Sequence, residues 1–232
     1  PFQRDFLISG NILNAWFVTA FIMNSLHIHI PFLIPLVAGD MVSSEATSGT
    51  IRFLLIRPPS RGRVITAKYL TALFYTAILV IFFAGVCIAL GLPLFGSGDL
   101  IVHHYGKFDI AFIPESEIPL RILFAFTAAI WSMTVVASIA FLFSTLAENS
   151  IGPIIGTMAV VIVFLVLGNL PLDFFRSLKP YLFTTYMNLW QQFLNIPIPW
   201  PEIGRSAIIL GLHNAILFLI AFFVFKRKDV KS

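Results

Sequence analysis

This sequence predicts an all-α integral membrane protein, and three observations carry that reading. Hydrophobic residues make up 58% of the chain and charged residues only 11%, against about 25% charged in an ordinary soluble domain. Mean hydropathy is +0.92. The charges are also segregated. None lies between Asp5 and Asp40 or between Lys68 and Asp99, so each interval holds an uncharged run long enough to cross roughly 30 Å of hydrocarbon. The expected arrangement is a single transmembrane domain over residues 1–232. It has five transmembrane helices, an amphipathic helix between the first two, and short external helices before the last.

The first span is expected at residues 15–38. Asn24, His27, His29, Pro31 and Pro35 make its second half bent and polar on one side. His27 and His29 are two apart and point about 200° from each other on a helix, which suits interhelical hydrogen bonding rather than a shared metal. The second span is expected at 69–95, with Lys68 reaching to the headgroups and Gly91, Pro93, Gly96 and Gly98 ending it. The loop to Pro119 carries Asp99, His103, His104, Lys107, Asp109, Glu115 and Glu117 without zinc-like spacing. It reads as a solvated external loop with room for a short strand or helix, and no metal is expected.

A third span at 122–147 leads through the turn Glu148-Asn149-Ser150 to a fourth at 151–170. The fourth opens with a Gly152-x-x-x-Gly156 pair that lets another helix approach closely. Residues 171–205 are too polar and proline-broken to span. Within them residues 181–194 read as an aromatic-rich helix along the outer interface, where Tyr181, Tyr186, Trp190 and Trp200 suit headgroup level. The fifth span, at 206–225, contains His213 and Asn214 as packing polar groups or as points on a substrate route. It ends in Lys226, Arg227, Lys228 and Lys231.

Between the first two spans lies the stretch with most of the charge in the first half. A helix at about 43–57 would put Glu45, Ser48, Gly49 and Arg52 on one stripe, and Thr47, Thr50, Ile51 and Leu54 on the opposite one. Pro58 and Pro59 stop it, and Ser60 caps the next helix. One reading is an interfacial linker whose arginines rest on lipid phosphates. The other is a docking surface, favoured by the glycine in the polar stripe and by a carboxylate and a guanidinium side by side. With this loop cytoplasmic, nine basic residues lie inside and six outside, the inner ones close beside span ends.

The string Gly39-Asp40, Ser44-Glu45, Gly49-Thr50-Ile51-Arg52, Leu54-Leu55, Arg57-Pro58, Ser60-Arg61 and Lys68 resembles the signature loop of ABC-2 type transporter permeases. The resemblance implies a coupling helix that touches a separate ABC ATPase subunit through Ser44, Glu45, Ser48, Gly49, Thr50, Arg52, Arg57 and Arg61, with Glu148 and Asn149 of the short turn beside them. It further implies two permease subunits, identical or different, and a substrate route at their interface walled by Asn24, His27, Gly152 and Gly156. It also implies residence in the cytoplasmic (inner) membrane of a bacterium. That family has six spans with both ends inside, so an additional apolar segment before Pro1 is expected.

The implied function is export of a lipid-like molecule, drug, peptide or ion. No G-x-x-x-x-G-K-[ST] stretch occurs. The chain alone is therefore expected not to be an enzyme and to hold no cofactor, with ATP and magnesium on the partner subunit. Two other classes compete. A secondary transporter or channel usually shows intramembrane acids or repeated halves, and here the acids sit at span ends and in loops. An intramembrane hydrolase would need a nucleophile elbow or H-E-x-x-H spacing, and neither is present. The basic residues cluster at span ends, so membrane lipid is an expected partner and nucleic acid is not. The lone Cys87 offers no intrachain disulfide.

Overall fold

The structure, a computed structural model, describes residues 13–48, 60–103, 110–170 and 177–227. Helix α1 (Ala15–Ala38) starts at Asn14, whose side-chain oxygen accepts from the amides of Trp16 and Phe17, a standard use of asparagine at a helix start. After Gly39 the chain continues as α2 (Asp40–Thr47). The 35-residue α3 (Arg61–Phe95) follows, with Ser60 accepting from the Arg63 amide as its capping pattern predicts. A hairpin of β1 (Leu100–His103) and β2 (Ile110–Ile113) pairs Leu100 with Ile113 in antiparallel register. Then come α4 (Ile118–Leu146), α5 (Ile151–Asn169), 3-10 segments at Lys179–Tyr181 and Phe183–Leu194, and α6 (Trp200–Arg227).

Helices α3, α4, α5 and α6 are long and apolar enough to cross a membrane. The segments Ala15–Ser25 and Ile28–Glu45 qualify together, bent by 58°, and add a fifth span if the pair crosses as one. The bend has a local cause. Pro31 has no N–H to give the carbonyl four residues back and its ring crowds that carbonyl. Separately, the Nδ1–H of His29 donates to Ser25 O at 2.8 Å. Three helices extend past the spans read from sequence, since α3 begins at Arg61, α4 at Ile118 and α6 at Trp200. A count of apolar residues stops at a charge, whereas a helix runs on through the headgroup layer, where Arg63 and Arg205 are exposed and Lys68 and Arg121 find partners within the chain. Of the helix expected at about 43–57, α2 covers the start; residues 49–59 lie outside the described residues.

The helices are not equivalent. The most apolar stretch of α4 is 72% buried within the protein, against 17% in α3, α5 and α6. This is the hub, and the sequence reading did not single it out. Small residues recur among its buried positions, with Ala128, Ser132, Ala137, Ser138, Ala140 and Ser144 set between larger Phe126, Met133, Ile139 and Phe141. Small side chains let neighbouring backbones come close where lipid offers no hydrophobic drive to associate.

The two ends of the bundle are built differently. At one, Ala15 N–H donates to Gly96 O (2.9 Å) and Asn14 Nδ2 to Asp99 O (2.7 Å). Gly96 turns the chain out of α3 at φ 68°, a conformation that favours glycine. This end carries the hairpin, with Leu100 and Ile113 buried. The other end carries α2.

The 3-10 segments correct the expectation of a helix resting at the outer interface. Phe183, Met187, Leu189, Trp190, Phe193 and Leu194 are buried, with Trp190 only 3% exposed. Trp190 reaches a small apolar cavity of about 20 Å³ lined also by Met23, Ile30, Val80, Phe126 and Met133. Tyr181 and Trp200 do stay at the surface. The segment has an apolar face wide enough to enter the bundle, and Arg121 ties its end down through bonds to Phe193 O and Asn195 O.

Candidate functional site

At its own end of the bundle, α2 is polar, yet side-chain bonds fix it to three neighbours. The amides of Val42 and Ser43 both donate to Ser144 Oγ of α4 at 3.0 Å. Lys68 of α3 reaches across, its Nζ 2.7 Å from Glu45 Oε1 and donating to Met41 O at 2.8 Å. Thr47 Oγ1 lies 2.8 Å from Ser43 O and 2.9 Å from Glu148 O in the α4–α5 turn. Gly39 allows this seat, since a Cβ there would lie 2.5 Å from Pro35 O and 3.3 Å from the Pro153 side chain of α5. The turn is itself ordered by Asn149, whose Oδ1 accepts from Gly152 N–H at 2.7 Å.

The structure brings Ser44, Glu45 and Ser48 on α2 together with Glu148 and Asn149 on the turn. Ser44 Oγ donates back to Asp40 O. Ser48, Glu148 and Asn149 face outward. Glu45 is engaged within the chain by Lys68. Gly49, Thr50, Arg52 and Arg57 lie outside the described residues. Arg61 sits on the first turn of α3 against the end of α6, with its Nη1 3.5 Å from Lys226 O.

Of the four residues expected along a substrate route, three are described in full, and each has its own neighbours within the chain. Asn24, in the first half of α1, accepts from Gln191 Nε2 of the 3-10 segment at 3.0 Å. Gly152 belongs to the capped turn at the α2 end. Gly156 faces Phe143 of α4, where a Cβ would lie 3.2 Å from the ring, so the small-residue pair serves packing inside this chain. The His27 side chain is outside the description.

Sequence reasoning missed a buried polar cluster between α3, α4 and α6. Tyr69 OH and Ser138 Oγ are 2.8 Å apart, Ser138 Oγ donates to Asn214 Oδ1 at 2.7 Å, and Asn214 Nδ2 donates to Thr134 Oγ1 at 2.8 Å. The Tyr69 ring stacks on Phe218 with centroids 4.4 Å apart. The available signal was spacing: Thr134 and Ser138 are four apart on one face of α4, facing the asparagine of another span.

Two curated relatives of known source resemble the chain. The Bacillus subtilis (strain 168) protein YhcI, described as uncharacterized, is 27% identical over 205 residues, covering 85% of this chain and 63% of YhcI. The chain thus spans less than two thirds of that relative. The uncharacterized membrane protein YdbK of the same strain is 25% identical over 222 residues, 89% of this chain and 80% of YdbK. With the long apolar helices, that likeness makes the chain a multi-pass membrane protein.

The family that matches residues 2–231 is not the ABC-2 permeases, and this overturns the resemblance drawn from the loop. The physical reason lies in the string itself. Alternating small polar residues, spaced arginines and a proline stop are what any amphipathic connector between two spans requires, so they carry little family information. The match covers nearly the whole chain, and the protein belongs to the DUF2705 family, described as proteins of unknown function.

Proposed function

We propose that this chain is the membrane-spanning subunit of a bacterial inner-membrane transporter, driven by a separate ATP-hydrolysing subunit that docks on α2 and the α4–α5 turn. One observation carries the reading: α2 is polar, lies at the end of the bundle, and is locked to α3, α4 and the turn by Lys68, Ser144 and Thr47 while Ser48, Glu148 and Asn149 remain outward. A linker that only joins two spans needs no such fixation. A surface that must pass a push into the hub helix does, because a displacement travels only through packed, bonded elements. The sequence contains no G-x-x-x-x-G-K-[ST] stretch, and the proposal assigns ATP to a separate polypeptide. A second copy of the chain, or a similar subunit, would complete the transporter.

Photo-crosslinkers placed at Ser48 and at Asn149 in the native membrane test this. We expect both to capture a soluble ATP-binding polypeptide, and one at Glu115, at the hairpin end, to capture none. Failure of both Ser48 and Asn149 to capture such a polypeptide would overturn the proposal.

A further inference from the structure

The outer stripe of α6 combines an apolar furrow with a cation at one end. Ile216, Leu219, Ile220, Phe223, Val224 and Arg227 line an open furrow of about 380 Å³. Ile216, Leu219, Ile220 and Phe223 are each about half exposed, while the opposite stripe of Asn214, Ala221 and Phe225 is buried in the bundle. From Ile216 to Arg227 the helix rises roughly 16 Å at 1.5 Å per residue, close to half of the roughly 30 Å hydrocarbon core. The furrow therefore matches one leaflet and ends in a guanidinium at headgroup depth. Lys226 is turned away, its Nζ 5.5 Å from the Phe222 ring. Arg227 is exposed.

Two occupants compete for such a face. A second copy would insert with the same orientation, and packing α6 against α6 would bring the exposed Lys226 and Arg227 of each copy together. An anionic lipid meets the same charge with attraction. We infer that this stripe is a binding site for an anionic phospholipid of the leaflet at the α6 C-terminal end, its acyl chain along Ile216–Phe223 and its phosphate on Arg227. The site is independent of the proposed transport role.

The test uses the full chain in nanodiscs containing equal phosphatidylglycerol and phosphatidylcholine, with retained lipid identified by native mass spectrometry. The wild type should retain phosphatidylglycerol about five-fold over phosphatidylcholine, as expected for one basic residue at an anionic surface. Arg227→Gln should bring the ratio near one and Arg227→Lys should restore most of it. Ile220→Trp, which fills the furrow, should reduce retention of either lipid. Arg63→Gln, an exposed cation on α3, should leave the preference intact, and added inorganic phosphate should not displace the lipid. The inference is overturned if Arg227→Gln keeps the preference, or if Arg63→Gln removes it as fully, or if inorganic phosphate displaces the lipid. Efficient disulfide-linked dimers of Ile220→Cys at high lipid-to-protein ratio would also overturn it, by giving the face to a second copy.

Discussion

At the scale of single residues, the interior is held by a few hydrogen bonds whose partners lie on different helices. Asn214 is the centre of one cluster, bonded to both Ser138 and Thr134. Asn214→Ala removes two bonds and leaves a small void, so we expect a loss of about 1–2 kcal/mol, near the upper end for interhelical bonds in membranes. Tyr69→Phe keeps the ring on Phe218 and Phe141 and loses only the hydroxyl, for about 0.6 kcal/mol. Unfolding in mixed micelles checks the order of the two. At the α2 end, Lys68→Ala strips Glu45 Oε1 of its cation, and Glu45 Oε2 is already buried without a hydrogen-bond partner among the described residues. Removing the cation should therefore do more harm than Glu45→Ala, which leaves a flexible ammonium free to reach water. Hydrogen exchange reads this directly: amides of residues 40–47 should exchange faster in Lys68→Ala while those of α4 are unchanged.

At the scale of elements, the helical class and the apolar runs were legible because a span must be long and uncharged, and that shows in any window of sequence. The division of labour among the spans was not. Hydropathy reports whether a side chain tolerates lipid and cannot tell lipid from another helix. Here the hub α4 carries buried Ser132, Thr134, Ser138, Ser144 and Thr145, whereas α5 and α6 show Ile155, Ile162, Ile208 and Phe223 to the outside. Small and hydroxylated residues in an apolar run are the sign of a central helix, since hydroxyls there find carbonyl or side-chain partners. The re-entry of Phe183–Leu194 was hidden for a related reason. Its aromatics suit an interface and a core equally, and what decides is tertiary: Phe183 meets Phe164 of α5, Phe193 meets Phe124 of α4, and Trp190 lines a cavity with Phe126 and Met133. We expect Ala137→Phe, at a fully buried site on α4, to cost about 1–3 kcal/mol through overpacking. Ile162→Ala, about half exposed on α5, should cost well under 1 kcal/mol, because lipid fills the space. Equal losses in the two variants, measured by thermal unfolding in lipid, would mean that α4 is not the hub.

At the scale of the whole molecule, the bundle has two chemically distinct ends. One holds the hairpin, Ser97 and Glu115. The other holds α2, the Glu148–Asn149 turn, the start of α3 with exposed Arg63, and the end of α6 with Lys226 and Arg227. Of the candidate site, the sequence reading groups Glu148 and Asn149 with Ser44, Glu45 and Ser48 only as contacts to a partner subunit that the family resemblance implied. The bonds that create it, from Ser144 and Lys68, come from residues that no local pattern marks. Basic residues flanking spans tend to be retained on the cytoplasmic side, so we expect the α2 end inside. Replacing Cys87 with alanine and placing single cysteines at Asn149 or Glu115 tests this with a membrane-impermeant thiol reagent. Both sites are exposed, so labelling reports sidedness rather than burial. The cysteine replacing Glu115 should react in intact cells, and the one replacing Asn149 only after permeabilisation. The opposite pattern would put α2 and its turn outside the cell, where no ATP-hydrolysing subunit could dock. The transport proposal would then fall, while the lipid site on α6 would stand and simply belong to the other leaflet.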